Sequence, residues 1–137
     1  MDDVIVNKIA TIERCLARIH EVYSEVEGDF KQDFTRQDSI ILNLQRACEA
    51  AIDLANYVNK RKKLGVPQSS RDSFSLLIKA GILEEDLAQK LMKMVGLRNI
   101  AVHDYQELNL DIVIHVVEHY LSDFDRFTGL IKGLSFQ

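Results

Sequence analysis

The chain has 137 residues, of which 47% are apolar and 28% charged, with a net charge of −4 from 17 basic and 21 acidic side chains. That balance excludes a disordered polyelectrolyte and fits a single globular domain over residues 1–137 with enough chain to bury a core. No apolar run approaches the roughly 20 residues of a bilayer span, and the acidic start Met1-Asp2-Asp3 does not read as a signal peptide, so no membrane association and a cytoplasmic location are expected.

One proline, Pro67, and six glycines leave few breaks, which points to helices rather than a many-turned β protein. Over 4–27, Val4, Ile9, Ile12, Leu16, Ile19, Val22, Tyr23 and Val26 recur at three- and four-residue steps and predict a first helix, with Gly28 as its stop. A long second helix over 33–63 carries the stripe Ile40, Ile41, Leu44, Ala47, Cys48, Ala51, Leu54, Ala55 and Val58, with Asp33 or Thr35 as its cap. Residues 65–70 read as a loop. Ser70 or Asp72 caps a short third helix bearing Phe74, Leu77 and Ile78, which Gly81 ends in a left-handed conformation. A fourth helix over 84–104 turns Leu87, Leu91, Met94, Val95 and Val102 inward. Asn109 or Asp111 opens a fifth over 110–133, with Ile112, Val113, Val116, Val117, Tyr120, Leu121, Phe124, Phe127 and Leu130. Four long helices with short connections predict an all-α, up-and-down four-helix bundle with a short additional helix.

Most polar residues have ordinary readings. Cys15 and Cys48 lack metal-ligand spacing and read as buried thiols. Lys60, Arg61, Lys62 and Lys63 close the second helix, where cations complement the helix dipole; they are also a candidate landing patch for a nucleic-acid backbone. His115 and His119 have i, i+4 spacing but no evident third ligand, so no metal site is expected. Glu49 and Asp53 read as cross-helix partners ahead of acid–base catalysts.

The stretch Arg98-Asn99-Ile100-Ala101-Val102-His103-Asp104-Tyr105 differs from these, because it sets reactive polar groups in an otherwise apolar helix. Asn99 and His103 are four apart and share a face. Arg98 and His103 lie about 140° apart on a straight helix, so they converge if the helix frays near Asp104, if the arginine stem swings round, or if two chains share one cleft. A neutral imidazole can take the proton of a ribose 2′-hydroxyl, and a guanidinium can stabilise the charge that builds on the phosphoryl oxygens. Spacing alone also fits a solvated arginine and a satisfied histidine.

The string resembles the R-N-x-x-x-H-x-Y signature of the HepT family of HEPN-domain toxins. Asp72-Ser73-Phe74-Ser75-Leu76-Leu77 with Gly81-Ile82-Leu83, and the second helix with Gln45, Glu49, Ala50, Asp53 and Ala55, are similar to the same family in the same order. The resemblance implies a HEPN fold, a homodimer with the motifs at its interface, and a metal-independent endoribonuclease toxin without cofactors, acting on transfer or messenger RNA. It implies catalytic roles for Arg98, Asn99 and His103, and neutralisation by a MntA-type nucleotidyltransferase that transfers AMP to Tyr105. The competing reading is a non-catalytic module that binds a nucleotide or the nucleotidyltransferase itself.

Overall fold

Helix starts are marked by side chains that take up otherwise unpartnered amides. The computed structural model describes residues 2–136. Asp2 accepts the Val4 amide at 2.8 Å and opens α1, Asp3–Ser24. Asp33, rather than Thr35, caps the long α2, Phe34–Arg61, by accepting the Arg36 amide at 3.2 Å. A single 3-10 turn, Phe30–Gln32, links them. The cap of α3, Ser70–Lys79, is Ser69 and not the expected Ser70 or Asp72. Its hydroxyl accepts the Asp72 amide at 3.0 Å, while the Asp72 carboxylate accepts the Gln68 amide at 2.9 Å, so the two close a reciprocal cap. Gly81 follows α3 at φ +73°, the left-handed conformation that glycine adopts at low cost.

After α4, Glu85–His103, a second 3-10 turn spans Tyr105–Glu107, and Asn109 opens α5, Leu110–His119. The expected single last helix is two: α6 runs Leu121–Lys132, and the chain bends at Tyr120, φ −117° and ψ 0°. The Tyr120 amide still donates to Val116 O at 2.8 Å, but its carbonyl accepts the Asp123 amide three residues on, which starts a new helix. Both halves bury their apolar faces, through Val113, Val116 and Val117 and then Leu121, Phe124 and Phe127, so the apolar spacing runs unbroken across the bend.

The helices form an all-α bundle in which α2 is the spine. It packs along α1 and against α3 and α4, and α6 closes the ring onto α1 and α4. Ala47, Ala51 and Ala55 are buried on α2, and side chains this small permit close helix approach. Phe74 and Phe127 meet edge to face at 5.8 Å between centroids in the middle of the core. Val4, Val102, Ile112 and Leu130, expected inside, are exposed; Ile5, Val113 and Ile131 hold the neighbouring inward positions, and the partly buried Ala101 packs on the core beside Val102. The Asn59 amide donates to Ser73 O at 2.9 Å, and Ser73 bonds Asn56, which pins α3 to α2. Among the described residues, no helix is long and apolar enough to cross a membrane.

Cys15 and Cys48 are both buried free thiols. Burial raises the pKa of both, that of Cys48 to about 12, and so suppresses the reactive thiolate. Neither is expected to react with a thiol reagent at pH 8 until denaturant is added, when both do; a thiol titration with and without guanidinium checks this. Leu54, fully buried on α2, is expected to cost ~2–5 kcal/mol when cut to alanine, read from a urea melt.

Candidate active site

The C-terminal half of α4 carries Arg98, Asn99 and His103, and the helix is continuous through His103. Asp104 ends it at φ −151°, donating its amide to Ile100 O at 2.8 Å. Fraying therefore does not bring Arg98 and His103 together: five helical steps set them about 140° and roughly 7.5 Å apart along the axis. Arg98 is half-buried. Its Nη2 donates to Ser70 Oγ at 3.3 Å, its guanidinium stands near enough to Cys48 to act on that thiol, and its Nε is buried with no hydrogen-bond partner. Asn99 and His103 lie one turn apart and are exposed. The Asp104 carboxylate makes no hydrogen bond to His103 among the described residues.

Tyr105 leaves the helical register. The 3-10 turn swings it to α2, where its hydroxyl donates to Asp38 Oδ1 at 2.5 Å across 67 residues of sequence. Burial, and then the Asp38 carboxylate, push the phenol up to about 12, while the residue remains 44% exposed. Asp38 had no signal in the sequence; an isolated aspartate early in a long helix reads as solvated. Phe34 and Leu42 stand one turn to either side of it on α2, and both are exposed, as are Ile100 and Val102 within the motif. The four place apolar surface around the site.

A second guanidinium also lies close. Arg71, at the start of α3, sets its Nη2 where it would be 3.0 Å from a β-carbon at position 96, so Gly96 makes room for it two residues before Arg98. Arg71 forms no ion pair among the described residues. A glycine inside an otherwise good helix is the signal that could have exposed this contact.

The basic run stands elsewhere. It ends α2, whereas Asp38 lies near that helix's start, roughly 33 Å away at 1.5 Å per residue. Arg61 is spent on Asp2, on Tyr57 Oη at 3.3 Å and on Phe136 O at 3.4 Å. Lys62 donates to Ser135 O at 2.7 Å and sits over the Phe136 ring. Lys60 and Lys63 are exposed and form no ion pair among the described residues. Asp53 bonds across to Lys8 on α1 at 3.0 Å, and Glu49 accepts from Gln45 at 3.2 Å, which gives both carboxylates structural partners. His115 and His119 face each other at 4.7 Å between ring centroids, and no group of three metal-binding side chains forms among the described residues.

The Tyr105 shift has a direct signature. Because the folded pKa is raised from about 10 to about 12, the interaction favours the fold below pH 10 and is lost as pH climbs through 12. In an ultraviolet titration of folded protein, Tyr105 is expected to ionise near the upper value, and Asp38→Asn to bring its midpoint down toward 10.

The family model for "Ribonuclease HepT-like" proteins matches residues 12–131. Over 133 residues the chain is 63% identical to the mRNA nuclease HepT of Shewanella oneidensis, spanning 97% of this chain and 99% of that one. It is 26% identical over 130 residues to the tRNA nuclease HepT of Aphanizomenon flos-aquae, spanning 95% and 88%. The solved structure of the tri-AMPylated Shewanella oneidensis HEPN toxin in complex with MNT antitoxin matches with a TM-score of 0.93 at 62% identity, over 98% of this chain and 100% of that one. A toxin–antitoxin complex with AMP-PNP matches at a TM-score of 0.91 and 62% identity, over 96% and 99%. With the helical bundle and the Arg98-Asn99…His103 motif in place on α4, these matches establish that the chain belongs to the ribonuclease HepT-like family and has the HEPN fold.

Proposed function

We propose that this chain is a toxin that cuts RNA without a metal ion, and that a MntA-type nucleotidyltransferase neutralises it by transferring AMP to Tyr105. The observation that carries this reading is the Arg98, Asn99, His103 and Tyr105 set at the end of α4, in a chain 63% identical to an mRNA nuclease. That relative's much higher identity, against 26% for the tRNA nuclease, favours messenger RNA as substrate. The relative of known structure is AMPylated and bound to an antitoxin, which supports the same regulation here.

In the reaction, His103 takes the proton of the ribose 2′-hydroxyl and the freed oxygen attacks the adjacent phosphorus. Arg98 stabilises the charge on the phosphoryl oxygens, and Asn99, one turn from His103, donates to the same phosphate. The 5′-oxygen leaves and a 2′,3′-cyclic phosphate remains.

Two copies of the chain make the site. Within one chain Arg98 turns toward α3 and His103 toward solvent, so a second motif across a two-fold axis supplies the missing partner. The exposed Ile100 and Val102, on the same helix as the motif, support such an interface. Arg71 adds positive charge beside Arg98, which helps an acidic protein hold an anionic substrate; Lys60 and Lys63 serve a more distant part of a long RNA. Cleaving cellular RNA places the protein in the cytoplasm, as one domain.

Purified protein is expected to cleave total RNA in EDTA and leave 2′,3′-cyclic ends. His103→Ala and Arg98→Ala are each expected to cut the rate by about 10²–10⁴ with unchanged circular dichroism. A His103→Ala protein that cleaves at the parent rate contradicts the assignment.

A further inference from the structure

We propose that Asp38 is the general base for modification of Tyr105, its carboxylate taking the phenolic proton as the tyrosine oxygen attacks a nucleoside triphosphate. The inference rests on the reading that Tyr105 is the AMP acceptor. It adds a residue of the toxin's own to the chemistry that silences it.

The geometry is that of an activated nucleophile. The Tyr105 hydroxyl has one proton and two lone pairs. Its proton is committed to Asp38 Oδ1 at 2.5 Å, which leaves the lone pairs free for attack, and the half-exposed ring leaves room for a triphosphate to approach. Asp38 forms no ion pair among the described residues, so no cation competes for its charge. It sits on α2, the best-packed helix of the bundle, and so holds a fixed position. Tyr105 instead stands on a three-residue turn, and this hydrogen bond is the side-chain contact that fixes its hydroxyl.

A preformed phenolate is not the nucleophile. With the phenol near 12, fewer than about one molecule in 10⁴ is ionised at pH 7.5. The proton has to leave during attack, and its acidity rises as the oxygen bonds to phosphorus. The tyrosine oxygen forms a bond to the α-phosphorus, and the bond from that phosphorus to the oxygen bridging to the β-phosphate breaks. Pyrophosphate departs with the electron pair, and the proton passes to Asp38 and then to water.

The test uses full-length toxin, a MntA-type nucleotidyltransferase, ATP and Mg²⁺, with intact mass and peptide mapping as readouts. Asp38→Asn is expected to slow AMP addition at Tyr105 by about 10²–10⁴. Its residual rate is expected to climb tenfold per pH unit as hydroxide generates the phenolate, whereas the parent rate does not, and Asp38→Glu is expected to recover part of the loss. Because Asp38 is exposed, Asp38→Asn is expected to melt close to the parent, so lost folding does not mimic the result. Addition to Asp38→Asn at the parent rate overturns the proposal. So does a slow variant with the parent's pH profile, which makes Asp38 a positioning residue. A parent protein that gains no AMP on Tyr105 overturns the regulatory reading, and this inference with it.

Discussion

The continuity of α4 governs the rest of the site. A helix advances 100° per residue, and this one holds its register through His103 before Asp104 ends it. Arg98 is therefore turned inward against Ser70 and Cys48, while Asn99 and His103 point out. In the reaction proposed for this site, neither half of the motif is a catalyst alone. A guanidinium without a base stabilises charge that never forms, and an imidazole without a nearby cation generates an alkoxide facing an uncompensated phosphate. In the proposed reading this separation ties activity to assembly, with a second copy of the same motif supplying the missing half.

The bundle supports this division by making α2 a common reference. Its interior face carries the core through Leu44, Ala47, Ala51, Leu54 and Val58, which fixes its position against α1, α3 and α4. Its outer face presents Asp38 between Phe34 and Leu42. One rigid element thus holds both the wall behind Arg98, through Cys48, and the acceptor for Tyr105. The proposed cutting and control residues meet where α4 hands the chain to the following turn, with Tyr105 on the far side of that boundary.

Much of this was legible from residue order. Three- and four-residue apolar spacing located every long helix, and Asp33, Asn109 and Gly81 marked ends for local reasons that act within a few residues. The motif and its flanks pointed to the family. What remained hidden depends on contacts between distant segments. Asp38 meets Tyr105 across 67 residues, and neither position carries a local sign of the other. The bend at Tyr120 was invisible because both flanking pieces bury their faces in the same core, so periodicity continues through a break in the backbone. Lys60, Arg61, Lys62 and Lys63 look alike in sequence, yet Arg61 and Lys62 are tied to the chain's own termini, which no local rule foretells. Tyr105 lies outside the register of Arg98 because the helix ends two residues before it.

One chain does not bring Arg98 to His103, and in the proposed reading two chains do. Mixing separately inactive Arg98→Ala and His103→Ala proteins, co-refolded at equal amounts, tests it in a single RNA-cleavage assay. Random pairing makes half of the dimers mixed, and each mixed dimer holds one intact site of two, so recovery to about a quarter of the parent rate is expected. A mixture as inactive as its components contradicts the shared site.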